Sequence, residues 1–235
     1  MTGKLYLCAT PIGNLSDITL RCLEVLKSVD IIAAEDTRRT LTLLNHFEIS
    51  KPLTSYYEHN RKEKGEFLAE EMRSGKSIAL VSDAGTPAIS DPGEDLVAIC
   101  IEKGIDVVPI PGCVAAINAL IGSGMATGRF CFEGFLSVNR QSRKKHLEEL
   151  ISERRTMIFY EAPHKLLTTL KDFILYFGEG RKISLCRELT KIHEEFRRTT
   201  IKEALDYYEQ NPPKGEFVLI VEGAPQTPPD FSEIT

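Results

Sequence analysis

Residues 82–93 are rich in groups that could hold a ligand. They read Ser-Asp-Ala-Gly-Thr-Pro-Ala-Ile-Ser-Asp-Pro-Gly. The aspartates, serines and threonine offer hydrogen bonds, and the two glycines let the backbone approach a ligand closely. On composition alone the segment is either a pair of tight turns or a ligand-binding loop.

The elements on either side of this segment indicate where it lies in a fold. The apolar run 77–81 before it predicts a buried strand, and residues 94–100 after it predict a helix with Pro92 near its first turn. The segment is therefore the loop at the carboxyl end of a strand. Open α/β sheets bind small molecules at that position.

Similar polar segments follow other predicted strands. They are residues 11–14, 35–38, 161–165 and 187–191. In the first half, strands alternate with helices, which predicts an α/β domain with a mostly parallel sheet; in the second half we expect a mixed sheet. The predicted organisation is an N-terminal α/β domain over 1–121, a Gly-rich linker over 122–129, a C-terminal α/β domain over 130–224 and a loose tail over 225–235.

Composition and missing motifs exclude several classes of protein. The net charge is −5, so general binding of polyanions is not expected. The six cysteines form no Cys-x-x-Cys pair, which favours buried thiols over a metal site. No apolar run approaches the roughly 20 residues of a membrane span, so we expect a cytoplasmic protein without a membrane partner. A nucleophile elbow, a P-loop and the dinucleotide Gly-x-Gly-x-x-Gly signature are also absent from the sequence.

A set of ordered motifs resembles one family. The motifs are residues 9–15, 34–38, 82–93, 111–112, 132–136, 160–164, 187–195 and 214–217. Together they resemble the bacterial small-subunit ribosomal RNA methyltransferases of the tetrapyrrole methylase superfamily. The resemblance implies two α/β domains with a cofactor cleft between them and transfer of a methyl group from S-adenosylmethionine. It further implies that the acceptor is the ribose 2′-hydroxyl of a cytidine in the decoding centre of 16S rRNA, within the small ribosomal subunit, and that the protein is a homodimer.

The resemblance also implies a donor site, residue by residue. Its members are Pro11, Ser82, Asp83, Ala84, Gly85, Ile89, Val114, Ala115, Tyr160, Leu189 and Gly223. The family's Pro-Ser after Pro-Gly reads Cys113-Val114 here, which leaves only backbone contacts to the donor at that point. For Asp83, a turn-capping carboxylate is the alternative to a contact with the methionine part of the donor.

The chemistry of methyl transfer limits what catalytic residues must do. A sulfonium donor leaves as a neutral thioether, so positioning should dominate and no acid is needed. A base, or a cation beside the forming alkoxide, would help. The candidates are Glu188, Lys191 and Glu161, with His164, Asp36 and Arg38 as further possibilities.

Contact with RNA would fall to local basic clusters, which lie at residues 38–39, 61–64, 140–145 and 154–155, and the cluster at 140–145 is the strongest. The predicted RNA-binding residues are Arg38, Arg140, Arg143, Lys144 and Lys145. Each cluster could equally be a solvated helix face. Two rival functions stay open at this point: a methyltransferase of the same fold acting on a tetrapyrrole or another small substrate, and a non-catalytic RNA-binding module.

Overall fold

The chain consists of two compact units in the computed structural model, which describes residues 2–225. One unit ends at Ala115 and the other begins at Ala116. Helix α5 (Ala115–Ser123) spans this point of the sequence, so the predicted linker over 122–129 begins inside that helix. Most of the predicted tail, residues 226–235, lies outside the described part of the chain.

The first unit is a parallel sheet with helices between its strands. Its elements are β1 (Leu5–Cys8), α1 (Leu20–Ser28), β2 (Ile31–Ala34), α2 (Thr37–His46), β3 (Leu53–Ser55), α3 (Arg61–Arg73), β4 (Ile78–Val81), α4 (Gly93–Glu102) and β5 (Val107–Ile110). The strand order is β3-β2-β4-β1-β5, and every neighbouring pair is parallel. The predicted α/β class with a mostly parallel first sheet is confirmed.

Helices cover both faces of this sheet because its strands are apolar on both sides. Along β4, Ile78 and Leu80 belong to one core cluster and Ala79 and Val81 to the other, as the two-residue period of a strand requires. The first cluster contains residues of α3 and α4, and the second contains residues of α1 and α2. Connections therefore leave β1 and β4 over opposite faces. In doubly wound sheets, the crevice between two such strands binds ligands.

The second unit is a mixed sheet. After α5 its elements are β6 (Phe130–Phe135), α6 (Arg140–Glu149), β7 (Thr156–Glu161), α7 (Leu166–Phe177), β8 (Lys182–Arg187), β9 (Glu195–Thr200), α8 (Ile201–Gln210) and β10 (Phe217–Val221). The order is β6-β7-β10-β8-β9; only β6 and β7 run parallel, and the other pairs are antiparallel. The predicted mixed second sheet is also confirmed.

Strand β9 and helix α8 are not among the elements that we predict from the sequence. β9 reads Glu-Phe-Arg-Arg-Thr-Thr, which lacks an apolar run, and it is a strand because it pairs with β8 along its whole length. A signal for α8 does exist. Thr200 and Glu203 form a capping box, and Ile201, Ala204, Leu205 and Tyr208 are buried at helical spacing. No helix within residues 2–225 is long and apolar enough to cross a membrane.

Candidate ligand-binding and active site

Three strand-end loops of the first unit meet at one edge of its sheet. Strands β4, β1 and β5 are neighbours and parallel, so the loops that follow them leave from the same edge. These loops contain seven of the predicted donor residues, and an eighth, Ala115, begins helix α5 directly after the last loop. The seven are Pro11, Ser82, Asp83, Ala84, Gly85, Ile89 and Val114. The fold of the first unit therefore brings this part of the predicted site together.

The loops after β1 and β4 are joined by a two-residue bridge. The Thr10 N–H donates to the Gly85 carbonyl at 2.9 Å, and the Gly85 N–H donates back to the Thr10 carbonyl at 3.1 Å. Gly85 has a φ of +81°, and a Cβ placed there would lie 3.2 Å from Ile12 Cγ2. Glycine is thus required at position 85 by its backbone conformation, and its neighbour adds to that requirement.

The loop after β5 is held against the other two. Thr86 Oγ1 donates to the Cys113 carbonyl at 2.9 Å. A Cβ on Gly112 would lie 2.7 Å from the Cβ of Ala9, so the two backbones approach as closely as only glycine allows. The edge offers mainly backbone groups and small side chains. Such a surface suits close binding of a ligand rather than attack by a nucleophilic side chain.

Asp83 has protein partners for both of its oxygens. Oδ1 accepts the Asp36 N–H at 3.1 Å, and Oδ2 pairs with Arg39 Nη1 at 3.1 Å. The Asp83 N–H in turn donates to Glu35 Oε2 at 3.4 Å. Burial raises the pKa of Glu35. The carboxylate therefore ties the β4 loop to the β2–α2 turn, and any ligand contact by Asp83 competes with the exposed Arg39.

Asp91 shapes the far end of the same loop. Its Oδ1 accepts the N–H groups of Ala88 at 2.9 Å and Gly93 at 2.7 Å. Ala88 and Ser90 have φ values of +67° and +60°, which are unfavourable for residues other than glycine, and the carboxylate accepts the N–H of the first of them. No motif in the sequence predicts the roles of Thr10, Thr86 and Asp91 in joining and shaping these loops. The signal that the sequence offers for them is their position among turn-forming Gly and Pro residues.

The second unit also gathers predicted residues at one edge of its sheet. Tyr160 lies opposite Val218, which lies opposite Cys186, so β7 and β8 end at the edge where β10 begins. Tyr160, Glu161, Glu188, Leu189 and Lys191 share that edge. Gly223 follows the other end of β10, where Val221 pairs with Met157. The sheet therefore separates Gly223 from Tyr160 and Leu189.

Lys191 forms a bridge between two carboxylates. Its Nζ lies 2.8 Å from Glu188 Oε1 and 2.9 Å from Glu216 Oε2. The bond from Lys191 holds the pKa of Glu188 below its usual range, against the effect of burial. Burial would lower the pKa of Lys191, but the two carboxylates outweigh it and raise that pKa. Lys191 is therefore a firmly charged cation, and Glu188 is a weakened base.

Glu161 is enclosed in the second unit. Its side chain accepts the Ala162 N–H at 2.8 Å and the hydroxyl of Thr169, and the residue is only 4% exposed. Arg143 Nη2 donates to that same Thr169 hydroxyl at 2.8 Å, while its Nε donates to Asp172 at 2.6 Å. Arg143 and Glu161 thus belong to one internal network that connects α6, α7 and the end of β7.

Tyr160 lies in an aromatic cluster. Its ring centroid is 5.0 Å from that of Phe132 and 5.5 Å from that of Phe135. Burial raises the pKa of the Tyr160 hydroxyl. Phe135 is 57% exposed, so this cluster gives the edge an apolar surface.

The remaining predicted RNA-binding residues lie at the surface. Lys144 and Lys145 project from α6, and their only ion pairs within residues 2–225 are long contacts of 3.6 and 3.9 Å to Glu148 and Glu149. Arg140 begins the same helix and is exposed. Arg38 is exposed in the first unit and pairs with Asp36, which lowers the pKa of Asp36 to about 2.

Comparisons with known proteins agree with the motifs. The sequence profile of the family described as "Tetrapyrrole (Corrin/Porphyrin) Methylases" matches residues 4–205. The chain is 55% identical over 232 residues to "Ribosomal RNA small subunit methyltransferase I" of Synechocystis sp., a match that covers 98% of this chain and 83% of that protein. It is 54% identical over 221 residues to the protein of that name from Halalkalibacterium halodurans, covering 94% of this chain and 76% of that protein.

A solved structure gives the same result at the level of the fold. The uroporphyrin-III C-methyltransferase of Thermus thermophilus, complexed with S-adenosylhomocysteine, superposes with a TM-score of 0.65. The match covers 93% of this chain and 97% of that chain, at 16% sequence identity, which supports the fold alone. The resemblance predicted from the motifs is confirmed: the chain belongs to the tetrapyrrole methylase family.

Proposed function

We propose that this protein transfers a methyl group from S-adenosylmethionine to 16S rRNA, at the ribose 2′-hydroxyl of a cytidine in the decoding centre of the small ribosomal subunit. The observation that carries the proposal is the near-complete match, at 55% and 54% identity, to proteins named as small-subunit rRNA methyltransferases. The tetrapyrrole enzyme of the same fold shares only 16% identity, which makes a tetrapyrrole the weaker candidate substrate.

The loop edge of the first unit fits the methyl donor. Glycine at positions 85 and 112 keeps the backbone open at points where a Cβ would meet Ile12 or Ala9. Exposed Ala84 and Ile89 leave room beside that backbone and offer apolar contact. We assign the donor's methionine end to Ser82, Asp83, Ala84 and Gly85, with backbone contacts from Val114 and Ala115. Tyr160 and Leu189 stay predicted contacts, and we remove Gly223 from the set because it lies at the other edge of the second sheet.

S-adenosylmethionine, when bound, supplies a methyl group already activated for attack by an oxygen. The protein must therefore orient the acceptor and tolerate negative charge on it. Among the predicted catalytic residues, Lys191 is best suited to stabilise the forming alkoxide because its ammonium group is held charged and partly exposed. Glu188 then positions Lys191, and the hydroxyl proton passes to water. Glu161 serves as a structural carboxylate.

The proposed RNA surface keeps Arg38, Arg140, Lys144 and Lys145. These side chains are exposed, and a basic helix face can neutralise phosphates locally on a protein of net charge −5. Arg143 receives a structural role instead, because its guanidinium is bound to Thr169 and Asp172.

The deciding experiment uses labelled donor and small ribosomal subunits from a strain that lacks the modification. We expect label in the ribose of one 16S cytidine, and Lys191→Met should lower the rate of incorporation at least tenfold while donor affinity is kept. Label on a precorrin with none on the subunits would favour the tetrapyrrole alternative. RNA binding without donor binding would favour a non-catalytic module. The expected homodimer and cytoplasmic location stay predictions.

A further inference from the structure

A cavity in the second unit lies at the opposite end of its sheet from Tyr160 and Lys191, and Gly223, which we removed from the donor set, belongs to its lining. Its volume is about 640 Å³, and its lining includes Arg154, Thr156, Phe177, Arg181, Lys182 and Glu222. It opens where β7 and β8 begin and β10 ends. Cavities of this size hold a nucleotide-sized group.

The cavity carries an excess of positive charge. Three cationic side chains line it, against one carboxylate. Lys182 Nζ is 3.7 Å from Glu222 Oε1, and the two side chains are 68% and 45% exposed, so this pair is loose. Arg154 forms no ion pair with any residue between 2 and 225. The lining is therefore suited to an anion even though the chain as a whole is negative.

Arg181 is held in place at the wall of this cavity. Its Nη1 donates to the Glu222 carbonyl at 3.1 Å, and its guanidinium lies 6.0 Å from the centroid of the Phe177 ring. A carbonyl does not neutralise the guanidinium, which stays available to a second acceptor. An arginine fixed in this way loses little side-chain entropy when it binds an anion.

The cavity is separated from the other edge of the second sheet. Strand β7 leads from Thr156, at the cavity, to Glu161 at the edge that carries Tyr160 and Lys191. Its six residues span about 17 Å at roughly 3.3 Å per residue. A small ligand cannot occupy both places, but a polynucleotide can extend from one to the other.

We propose that this cavity binds a backbone phosphate of the RNA substrate, at a nucleotide remote from the methylated one. The proposal rests on the proposed function, since it takes RNA to be the substrate. Arg154 and Lys182 would contact the phosphate, Arg181 would orient it, and Glu222 would weaken binding by charge repulsion.

The test compares Arg154→Ala, Lys182→Ala and Glu222→Gln with Lys27→Ala, which alters an exposed lysine of α1 outside the cavity. Affinity for unmodified small subunits is measured between 50 and 200 mM salt. Each cation variant should weaken binding about three- to tenfold and reduce the salt slope by roughly 0.7. Glu222→Gln should strengthen binding, and Lys27→Ala should leave it unchanged. Affinity for S-adenosylmethionine should be the same in all four variants.

Wild-type affinity and salt slope in both cation variants would overturn the proposal. A second arm titrates cytidine monophosphate and inorganic phosphate. If these ligands alone lost affinity in the variants while subunit binding did not, the cavity would be a site for a free phosphate compound and the proposal would be wrong. The labelling experiment tests the proposed function independently of the cavity. Absence of label with wild-type protein would contradict the proposed function. Full labelling, together with cation variants that bind subunits as wild type does, would contradict only the assignment of the cavity.

Discussion

At the scale of single residues, the loop edge of the first unit depends on positions where one side chain or its absence decides the geometry. Gly85 lies in the left-handed region and pairs with Thr10, and Asp83 joins two loops through both of its oxygens. Both positions were predicted as donor contacts from the sequence. Because both residues also hold the loops together, substituting either one shows whether donor affinity depends on the structure of the loops.

Replacing Gly85 with Ala should destabilise the protein and weaken donor binding. The left-handed conformation costs an L-residue about 1–2 kcal/mol, and the added methyl would also press on Ile12. Gly104→Ala is the matched control, because Gly104 has a φ of +67° with nothing within 4 Å of its Cβ position. Urea unfolding and calorimetric donor titration measure both effects. If both variants lost the same free energy of unfolding and kept the donor affinity of wild type, Gly85 would matter only for its backbone conformation.

Replacing Asp83 with Ala should weaken donor binding at least about tenfold, since a charged hydrogen bond contributes about 1.5–3 kcal/mol. Arg39→Ala removes the competing partner of Oδ2 and should not weaken binding. Isothermal titration of S-adenosylmethionine distinguishes the two variants. If both lost affinity equally, Asp83 would act only as the link between the loops, which was the alternative interpretation of this residue.

At the scale of elements, the second unit is held together by polar links between neighbours in the sheet and helices. The Arg143–Thr169–Glu161 chain connects α6, α7 and β7 inside the protein. The Glu188–Lys191–Glu216 bridge connects the loop after β8 to the segment before β10. The first link is buried and the second is partly exposed. We therefore test the contribution of the first link to stability by substitution and that of the second by changing the pH.

Thr169→Val keeps the side-chain size but removes the hydroxyl that Arg143 and Glu161 share. One buried carboxylate oxygen and one guanidinium N–H would lose a partner, and we expect a loss of about 1–3 kcal/mol in the free energy of unfolding. The neighbouring Thr168→Val, at an exposed position of α7, should change it by less than about 0.5 kcal/mol. Chemical denaturation of both variants makes the comparison. Similar small changes would show that the network adds nothing to stability.

The Glu188–Lys191 link should make part of the stability depend on pH. The pKa of Glu188 is lowered in the folded protein, so the carboxylate stabilises the fold above its unfolded pKa of about 4.3. That stability is lost as the pH falls through the folded pKa. The difference in unfolding free energy between wild type and Glu188→Gln should therefore be present at pH 7 and shrink below about pH 4. A difference that is constant from pH 7 to pH 3 would contradict this assignment.

At the scale of the whole molecule, a chain with net charge −5 would have to bind the proposed RNA substrate through local surfaces. Helix α6 presents Arg140, Lys144 and Lys145 at its exposed side, and the cavity in the second unit presents a separate cationic lining. Recognition by several separate surfaces fits a folded RNA in an assembled subunit better than a short single strand.

The double substitution Lys144→Ala/Lys145→Ala should weaken binding to small subunits and reduce the salt slope by about one to two. Lys171→Ala on α7, whose lysine pairs with Glu209, is the control and should behave as wild type. Arg143→Ala should lower the free energy of unfolding and leave the salt dependence of binding close to that of wild type. Filter binding across a salt series measures the slopes. An unchanged slope in the double variant would mean that α6 is only a solvated helix face.

The sequence by itself determined most of the elements and the family, because apolar periodicity and turn residues act locally and the motifs occur along the chain. Strand β9 was not predicted, because its polar residues form a strand only through pairing with β8. The sequence also identified the loops at the first sheet edge, since parallel strands bring their carboxyl ends together.

Only the tertiary structure decided what individual side chains are free to do. Arg143 looked like part of a basic surface, yet it is bound to Asp172, 29 positions away in the chain. Gly223 follows an apolar strand as the other site loops do, but β10 runs antiparallel to β7, which places it at the opposite edge. The sequence indicated Arg154 as part of a basic cluster, but it could not show the cavity that Arg154 lines with Arg181 and Lys182, because these residues are brought together only by the fold. Ion pairs and cavities depend on distances across the fold, and spacing along the chain does not encode those distances.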